Sequence, residues 1–356
     1  MYLLRTLFAL LFVSTLQAGS GQGFLDGKTV TYDSAYVRDF SDRPTVRLYF
    51  SNKFNSMVVR ADGGTDIRYR PNGNYNMGIG ASYRRLTLNI AFPIPFLNDD
   101  RDKKGRTRYL DAQATIHTQR QASNLFLQVF KGYHITSHDQ PTVGWVQTTA
   151  FAYREDLLQF NIGMSSVRIR NAKRFSYRAS FTQDAWQQRS QGTWLYGAYA
   201  TFYALYADSA LVPFRLRDQF APSAAISEGI FADIGPIGGY ARTFVYRRHW
   251  FLTLSAALGV GLSLQHLTIP EIDGTTTTTD LGPGWRLQLR GAIGYNARYN
   301  FIGLVFNQER VGFLLPQQDR FAWDVGNLRL MFVERFRAKP ERVDKGLKWL
   351  KQNTPL

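Results

Sequence analysis

The chain has 356 residues, 15% of them aromatic, and 43 Lys and Arg against 27 Asp and Glu, which gives a formal charge of +16. It has no cysteine, which excludes disulfides, thiolate metal sites and a lipoprotein anchor. The positive charge indicates attraction to anions, but nucleic acid and anionic lipid headgroups would explain it equally well.

The N-terminus has the three-part layout of a secretory signal peptide. Arg5 precedes an apolar run from Leu7 to Val13, and small and polar residues follow through Gly23. This run is much shorter than the roughly 20 residues of a spanning helix, which favours a cleaved signal over a membrane anchor. We therefore expect a signal peptide at 1–21 and an exported mature chain whose residues 22–44 form a periplasmic N-terminal segment.

Alternating segments of about ten residues fill the chain from Thr45 to Phe336 (45–336), which is typical of a transmembrane β-barrel. The clearest predicted strand runs from Asp66 to Tyr83. Its apolar side carries Ile67, Tyr69, Tyr75, Met77 and Ile79, and its polar side carries Arg68, Arg70, Asn74 and Asn76. A secreted β-sandwich gives the same alternation, but the length of the segments favours the barrel, because soluble strands average about five or six residues.

The connections between these segments alternate in length, as short periplasmic turns and longer outer loops do in outer-membrane barrels. A short turn is predicted at Arg170 to Arg174, and a long loop at Thr268 to Gly282. We count thirteen segments, whereas single-chain bacterial barrels have an even number, so an antiparallel barrel of about 12 or 14 strands is predicted. The parity conflict falls at Ala207 to Ser227, and residues 337–356 are predicted to form a basic periplasmic tail.

Four short stretches carry a resemblance to a known family: Tyr32-Asp33-Ser34-Ala35-Tyr36, Thr45-Val46-Arg47-Leu48-Tyr49, Lys131-Gly132-Tyr133 and Lys173-Arg174-Phe175-Ser176-Tyr177-Arg178-Ala179-Ser180-Phe181. They resemble a family of predicted outer-membrane barrels, the domain-of-unknown-function family 4421 of Bacteroidota-type bacteria. The resemblance spans nearly the whole mature chain in order. It implies a barrel and an outer-membrane location, and it supplies no activity and no catalytic residue.

Arginine recurs at positions that the alternation places inside the barrel, namely Arg47, Arg68, Arg70, Arg286, Arg290 and Arg329. An inward position is expected, because an outward charge at the middle of the membrane costs roughly 2 to 4 kcal/mol. These arginines would line a pore that favours small anionic solutes, or they would pair with carboxylates such as Asp111 and Glu309 in a filled, structural lumen. The long outer loops leave a surface-binding role open as well.

Enzymatic, metal-binding and nucleic-acid functions have weaker support. His117 shares the predicted lumen face with Asp111, but no nucleophile motif accompanies it, so a hydrolase or acyltransferase is disfavoured and no catalytic residue is assigned. His134 and His138 stand at a strand end, where their spacing does not bring the side chains together, so we expect no metal and no cofactor. The expected partners are outer-membrane lipids, the barrel-assembly machinery and small anionic solutes; nucleic acid is not expected, since the basic residues form no single patch.

Overall fold

The computed structural model describes residues 32–83, 86–97, 100–145, 151–271 and 273–337, and β-strands dominate them. In chain order the strands are β1 (Val37–Asp39), β2 (Thr45–Arg60), β3 (Asp66–Arg70), β4 (Asn74–Tyr83), β5 (Leu86–Pro93), β6 (Arg108–His117), β7 (Gln121–Ile135), β8 (Tyr153–Ile169), β9 (Ala185–Gln187), β10 (Gln191–Tyr206), β11 (Glu228–Tyr246), β12 (Trp250–Glu271), β13 (Gly274–Asn296), β14 (Asn300–Leu314) and β15 (Arg320–Arg335). Two short helices are α1 (Arg101–Lys104) and α2 (Tyr177–Phe181), and single 3-10 turns lie at Pro95–Leu97, Phe214–Gln219, Pro222–Ala224 and Pro316–Gln318. The predicted signal peptide at 1–21 and nearly all of the predicted tail lie outside the described residues.

In the described ranges thirteen of the strands form one antiparallel sheet that closes on itself. The ring of pairings runs through β2, β15, β14, β13, β12, β11, β10, β8, β7 and β3 and returns to β2. Antiparallel ladders of this kind satisfy the backbone N–H and C=O groups within the wall, which is what a backbone in lipid requires. The predicted all-β antiparallel barrel is confirmed.

The predicted strand from Asp66 to Tyr83 is in fact two strands, because Pro71 and Gly73 interrupt it. Both pieces pair with the same edge of β2, β3 near Arg60 and β4 near Thr45. β3 also pairs with the end of β7. Since β3 and β4 share one position along β2, the thirteen strands fill twelve positions in the wall. The strand predicted at Asp66 to Tyr83 already counts once among the thirteen predicted segments, so one of those segments is an overcount elsewhere in the chain. Residues 207–227, where the parity conflict was located, contain no strand and add no crossing.

Strand alternation gives the wall an apolar outer face and a mixed inner face. On β12, Leu254, Leu258 and Leu262 are exposed on the outside, whereas Thr253 and Ser255 are buried on the inside. Other outward rows of exposed apolar side chains are Val46, Leu48 and Phe50; Ile302 and Leu304; and Leu328, Leu330 and Phe332. The outer surface therefore matches a hydrocarbon environment, and the polar residues point into the lumen.

Two connections fold back into the ring. We call the end where residues 118–120, 247–249 and 297–299 join neighbouring strands the short-turn end, and the opposite end the long-loop end. Residues 170–190, here called the plug, enter the short-turn end; they contain α2 and β9, and β1 pairs with β9. Residues 207–227, here called the cap, cover the long-loop end with a buried apolar core.

Two predicted connections are therefore wrong. The turn predicted at Arg170 to Arg174 continues to Ser190 as the plug. The loop predicted at Thr268 to Gly282 is mostly strand, since β12 and β13 stay paired out to Glu271 opposite Gly274. The threonines between 275 and 279 are β-branched and favour extended backbone, although they look like a polar loop by hydropathy. Within the described ranges no helix is long and apolar enough to span a membrane.

Two strands of the wall, β5 and β6, each pair with a neighbouring strand on one side only in the described residues. β5 pairs with β4 and β6 pairs with β7, and in the part of the chain that the structure describes no pairing joins β5 to β6. Side chains are exposed on both faces of these two strands, including Ala91 and Phe92 on β5 and Leu110 and Gln113 on β6. We call this break in the wall the side gap; it lies in the short-turn half, because β3 bridges β2 and β7 in the other half.

Candidate functional site in the lumen

The lumen holds three layers in series: the plug, an ionic middle layer and an aromatic layer under the cap. In the aromatic layer, the rings of Phe231 and Phe313 stack with their centroids 4.6 Å apart, and Phe321 stacks on Phe231 at 5.2 Å. Trp323 is fully buried, and its Nε1 donates to Asn55 Oδ1 at 2.9 Å. These rings belong to a larger cluster of buried apolar side chains, so this layer is a packed apolar core at the long-loop end.

Arg286 is the centre of the middle layer. Its side chain is fully buried, Nη2 donates to Thr201 Oγ1, and Nη1 lies 3.0 Å from Glu309 Oε1 in ionic contact without hydrogen-bond geometry. The guanidinium carbon lies 4.3 Å from the centre of the Tyr199 ring, whose hydroxyl lies 3.5 Å from Asp233 Oδ1. The structure thus brings two predicted site residues, Arg286 and Glu309, together, and the ring face adds a cation–π contact.

Asp111 pairs with a lysine and not with one of the predicted arginines. Its Oδ2 accepts from Lys53 Nζ at 2.6 Å, and its Oδ1 accepts from Gln128 Nε2 at 2.7 Å and from Gln113 Nε2 at 2.9 Å. Only 4% of the Asp111 side chain is exposed. Lys53 lies on β2 and Asp111 on β6, so this ion pair joins strands that are not neighbours in the wall.

His117 packs against the plug. Its ring lies 5.7 Å from that of Tyr177 and 6.3 Å from that of Phe181, both in edge-on contact. Among the described residues neither ring nitrogen has a hydrogen-bond partner. Arg290 also reaches the plug, with its guanidinium 5.7 Å from the centre of the Tyr177 ring. Within the described ranges no three His, Asp or Glu side chains form a group that could hold a metal.

Arg178 holds the plug together from inside. Its Nη2 donates to Asp184 Oδ2 at 2.6 Å, and its Nη1 lies 3.2 Å from Asp39 Oδ1 on β1. Burial lowers the pKa of Arg178, but Asp184 and Asp39 raise it by more, so the net pKa lies above the ordinary value and the cation stays charged. Burial raises the pKa of Asp39, and the nearby Arg178 offsets this only in part. Burial likewise raises the pKa of Tyr32, beside Arg178, to about 12.

Two further arginines tie the plug to the barrel wall. Arg335, the last residue of β15, is 1% exposed; its Nε donates to Gln183 O at 2.7 Å, and its Nη2 donates to Asn296 Oδ1 at 2.9 Å. Arg47 on β2 donates from Nη2 to Thr182 O at 3.3 Å. Charge-assisted hydrogen bonds are about twice as strong as neutral ones, so these contacts fix the position of the plug.

The six predicted lumen arginines divide into two groups. Four lie on the inner face: Arg47, Arg286, Arg290 and Arg329. Arg329 faces the Tyr49 ring at 5.7 Å. Arg68 and Arg70, by contrast, lie on the face opposite the buried Ile67 and Tyr69, which point into the core. The break at Pro71 lets the inward row change from odd positions on β3 to even positions on β4, which the predicted continuous strand did not include.

The plug residues were missed by the sequence reasoning, although their stretch from Lys173 to Phe181 resembles the family most distinctly. Ser176 was an available signal, since its Oγ accepts from Ala179 N as an N-cap of α2. The pairing of Arg178 with Asp184 and Asp39 depends on β1 lying beside β9, a contact between distant parts of the chain that periodicity does not predict.

Comparison with protein families gives a match over most of the chain. A model of the family described as "Domain of unknown function (DUF4421)" matches residues 31–334. The matched region covers β1 to β15, apart from the last residue of β15, and includes the plug and the cap. Comparison with curated proteins finds no match.

Solved structures that resemble the chain have low sequence identity and low TM-scores. The outer membrane protease OmpT from Escherichia coli is 8% identical, with 87% of this chain and 100% of that chain covered and a TM-score of 0.34. The toluene transporter TodX from Pseudomonas putida is 8% identical, with 83% of this chain and 91% of that chain covered and a TM-score of 0.27. The outer membrane protein OprG from Pseudomonas aeruginosa is 8% identical, with 83% of this chain and 97% of that chain covered and a TM-score of 0.21. No function is inferred from structural similarities with TM-scores this low.

Proposed function

We propose that this chain, which belongs to the family described as "Domain of unknown function (DUF4421)", is an outer-membrane β-barrel with a filled lumen and a structural or surface-binding role. One observation carries the proposal: the plug and the cap occupy opposite ends of the same ring. The buried arginine Arg286 contacts a carboxylate and a ring in the layer between them. Such partners favour a packed interior over a water-filled pore.

The membrane location is supported by the outward rows of exposed apolar side chains on β2, β12, β14 and β15. In this placement the short-turn end faces the periplasm and the long-loop end faces outward. Export by the signal peptide at 1–21 and insertion by the barrel-assembly machinery belong to the same proposal. Catalysis does not, and the packing of His117 against aromatic rings supports leaving it out.

Conductance in planar bilayers tests the filled lumen. The full chain is expected to give no conductance steps, whereas a variant in which residues 173–187 are replaced by an Asn-Gly turn is expected to conduct, because the plug is removed. Membrane fractionation and heat-modifiable gel migration check that both proteins are folded barrels. Steady conductance of the full chain would overturn the proposal.

A pore that favours small anionic solutes is the second candidate. It is favoured by Arg290 and Arg329, which have ring contacts but no ion pair with a carboxylate in the described part of the chain. If the plug moved aside, these cations would face the opened lumen. The plug-replacement variant is then expected to select anions over cations, and cation selectivity would remove this candidate.

A further inference from the structure

The side of the barrel offers a route to the middle layer that neither end offers. In the described residues no strand pairing joins β5 to β6. The gap between them lies level with the outward apolar row of Val46, Leu48 and Phe50, because β4 pairs with that part of β2. In hydrocarbon each unsatisfied backbone group costs several kcal/mol. Whatever fills this gap must therefore offer polar atoms to the strand edges as well as apolar surface to the outside.

The outer rim of the gap is apolar. Ile90 and Phe92 on β5 are 47% and 63% exposed, and Leu110 on β6 is 56% exposed. On the neighbouring strands, Met77 and Leu127 continue the same surface. Acyl chains lying along the barrel would find a continuous apolar surface on both sides of the gap.

The inner side of the gap is cationic. Asp111 on β6 holds Lys53, whose side chain is still 30% exposed. Arg329 on the neighbouring strand β15 pairs with Ser51 of β2, which is two residues from Lys53, so both side chains lie on the inner face of adjacent strands. Arg329 forms no ion pair in the described residues. Asp111 therefore neutralises Lys53 alone, and the remaining cation suits a single anionic group.

We infer that the side gap binds one anionic phospholipid of the surrounding leaflet, with its acyl chains on the apolar rim and its phosphate at Lys53 and Arg329. The ester and phosphate oxygens accept hydrogen bonds from the open edges of β5 and β6. This inference rests on the membrane placement proposed above. A water-soluble anion fits less well, because it would have to cross the apolar band to reach the gap.

Lipid retention by the full chain tests the inference. The protein is purified in neutral detergent, exchanged into micelles that contain dioleoyl phosphatidylglycerol or dioleoyl phosphatidylcholine, and analysed by native mass spectrometry. One phosphatidylglycerol is expected per chain, in preference to phosphatidylcholine. Ala91→Trp, which fills the gap from β5, and Arg329→Gln, which removes one cation, are each expected to weaken this retention about tenfold.

Matched controls keep the test specific. Ala256→Trp adds the same ring to an exposed outer position on β12, and Arg298→Gln removes an exposed cation from the turn after β13; neither is expected to change retention. The inference would be overturned if the two lipids were retained equally, or if neither Ala91→Trp nor Arg329→Gln changed retention. Dimers would also overturn it, because a second copy of the chain would then occupy the gap. Failure of heat-modifiable migration or of membrane fractionation would instead contradict the proposed barrel, so the two failures are distinguishable.

Discussion

The two ends of the barrel are closed by different combinations of contacts. Under the cap rings pack on rings, as in the stack of Phe231 on Phe313. The plug also packs rings, such as Phe175 against Tyr177, but it adds buried charge contacts such as Arg178 with Asp184. Apolar burial is non-directional and tolerates small shifts, whereas a buried cation is stable only while its partners stay in place. The long-loop end therefore tolerates small shifts, whereas the plug depends on the cation of Arg178 as well as on its apolar contacts.

The largest effect is expected at the aromatic layer. Trp323→Ala should lower the free energy of unfolding by about 3 to 5 kcal/mol, because it opens a cavity and removes the partner of Asn55. Urea unfolding followed by heat-modifiable migration measures this. Trp194→Ala is the control, since that side chain is 61% exposed on the outer surface. Equal losses in the two variants would contradict the role assigned to the aromatic layer.

The next largest effect is expected in the plug. Arg178→Gln should destabilise the plug by about 2 to 3 kcal/mol, because Asp184 and Asp39 lose their cation. Conductance steps should then appear in planar bilayers while the barrel stays folded. Arg174→Gln is the control in the same segment; its ion pair with Asp33 is exposed and should be worth less than about 1 kcal/mol. A closed, unchanged Arg178→Gln barrel would show that the plug does not depend on this charge.

Two histidines between aromatic rings should respond with opposite signs. His117→Phe is expected to stabilise the protein by about 1 kcal/mol, because it removes two buried nitrogens that have no hydrogen-bond partner among the described residues. His249 stacks on Trp186 and Tyr295 but shares a hydrogen bond between Nδ1 and Asn296 O, so His249→Phe should destabilise by a similar amount. Thermal unfolding in detergent compares them. A loss of stability in both variants would mean that His117 has a polar role.

The smallest effect is expected at Asp39, where burial raises the pKa. The stability linked to this group is fully present below its ordinary pKa of 3.8 and is lost as the pH rises through the raised value. Asp39→Asn should therefore match the parent below pH 3.8 and dock β1 more firmly at neutral pH, by under about 0.5 kcal/mol. Hydrogen-exchange protection of residues 37–39 measures this, with the exposed Asp42→Asn as control. Weaker protection at neutral pH would mean that the Arg178 contact outweighs burial.

The barrel wall could be predicted because its physics is local. A strand with one face in lipid and one in the lumen must alternate, and rows such as Leu254, Leu258 and Leu262 record that requirement directly in the sequence. The same rule placed Arg47, Arg286, Arg290 and Arg329 on the inner face. It misplaced Arg68 and Arg70 because the alternation of inward and outward residues does not continue across a break in the strand. After the break at Pro71 the inward side chains are at even positions instead of odd ones.

The contents of the lumen could not be predicted in this way. The partner of Asp111 is Lys53, which lies on a distant strand and enters only through the closure of the ring. The plug depends on β1 pairing with β9, which again joins distant parts of the chain. From the sequence alone the polar residues of the plug predict an ordinary turn, because their partners are brought close only by the fold.

Arg335 links the order of assembly to the final state. It ends β15, the strand whose pairing with β2 completes the ring, and its donors go to Gln183 in the plug and to Asn296 at the end of β13. A ring that closed without the plug would lose the Gln183 acceptor of this guanidinium and keep the Asn296 acceptor. The closing seam is therefore more stable around a docked plug than around an empty end.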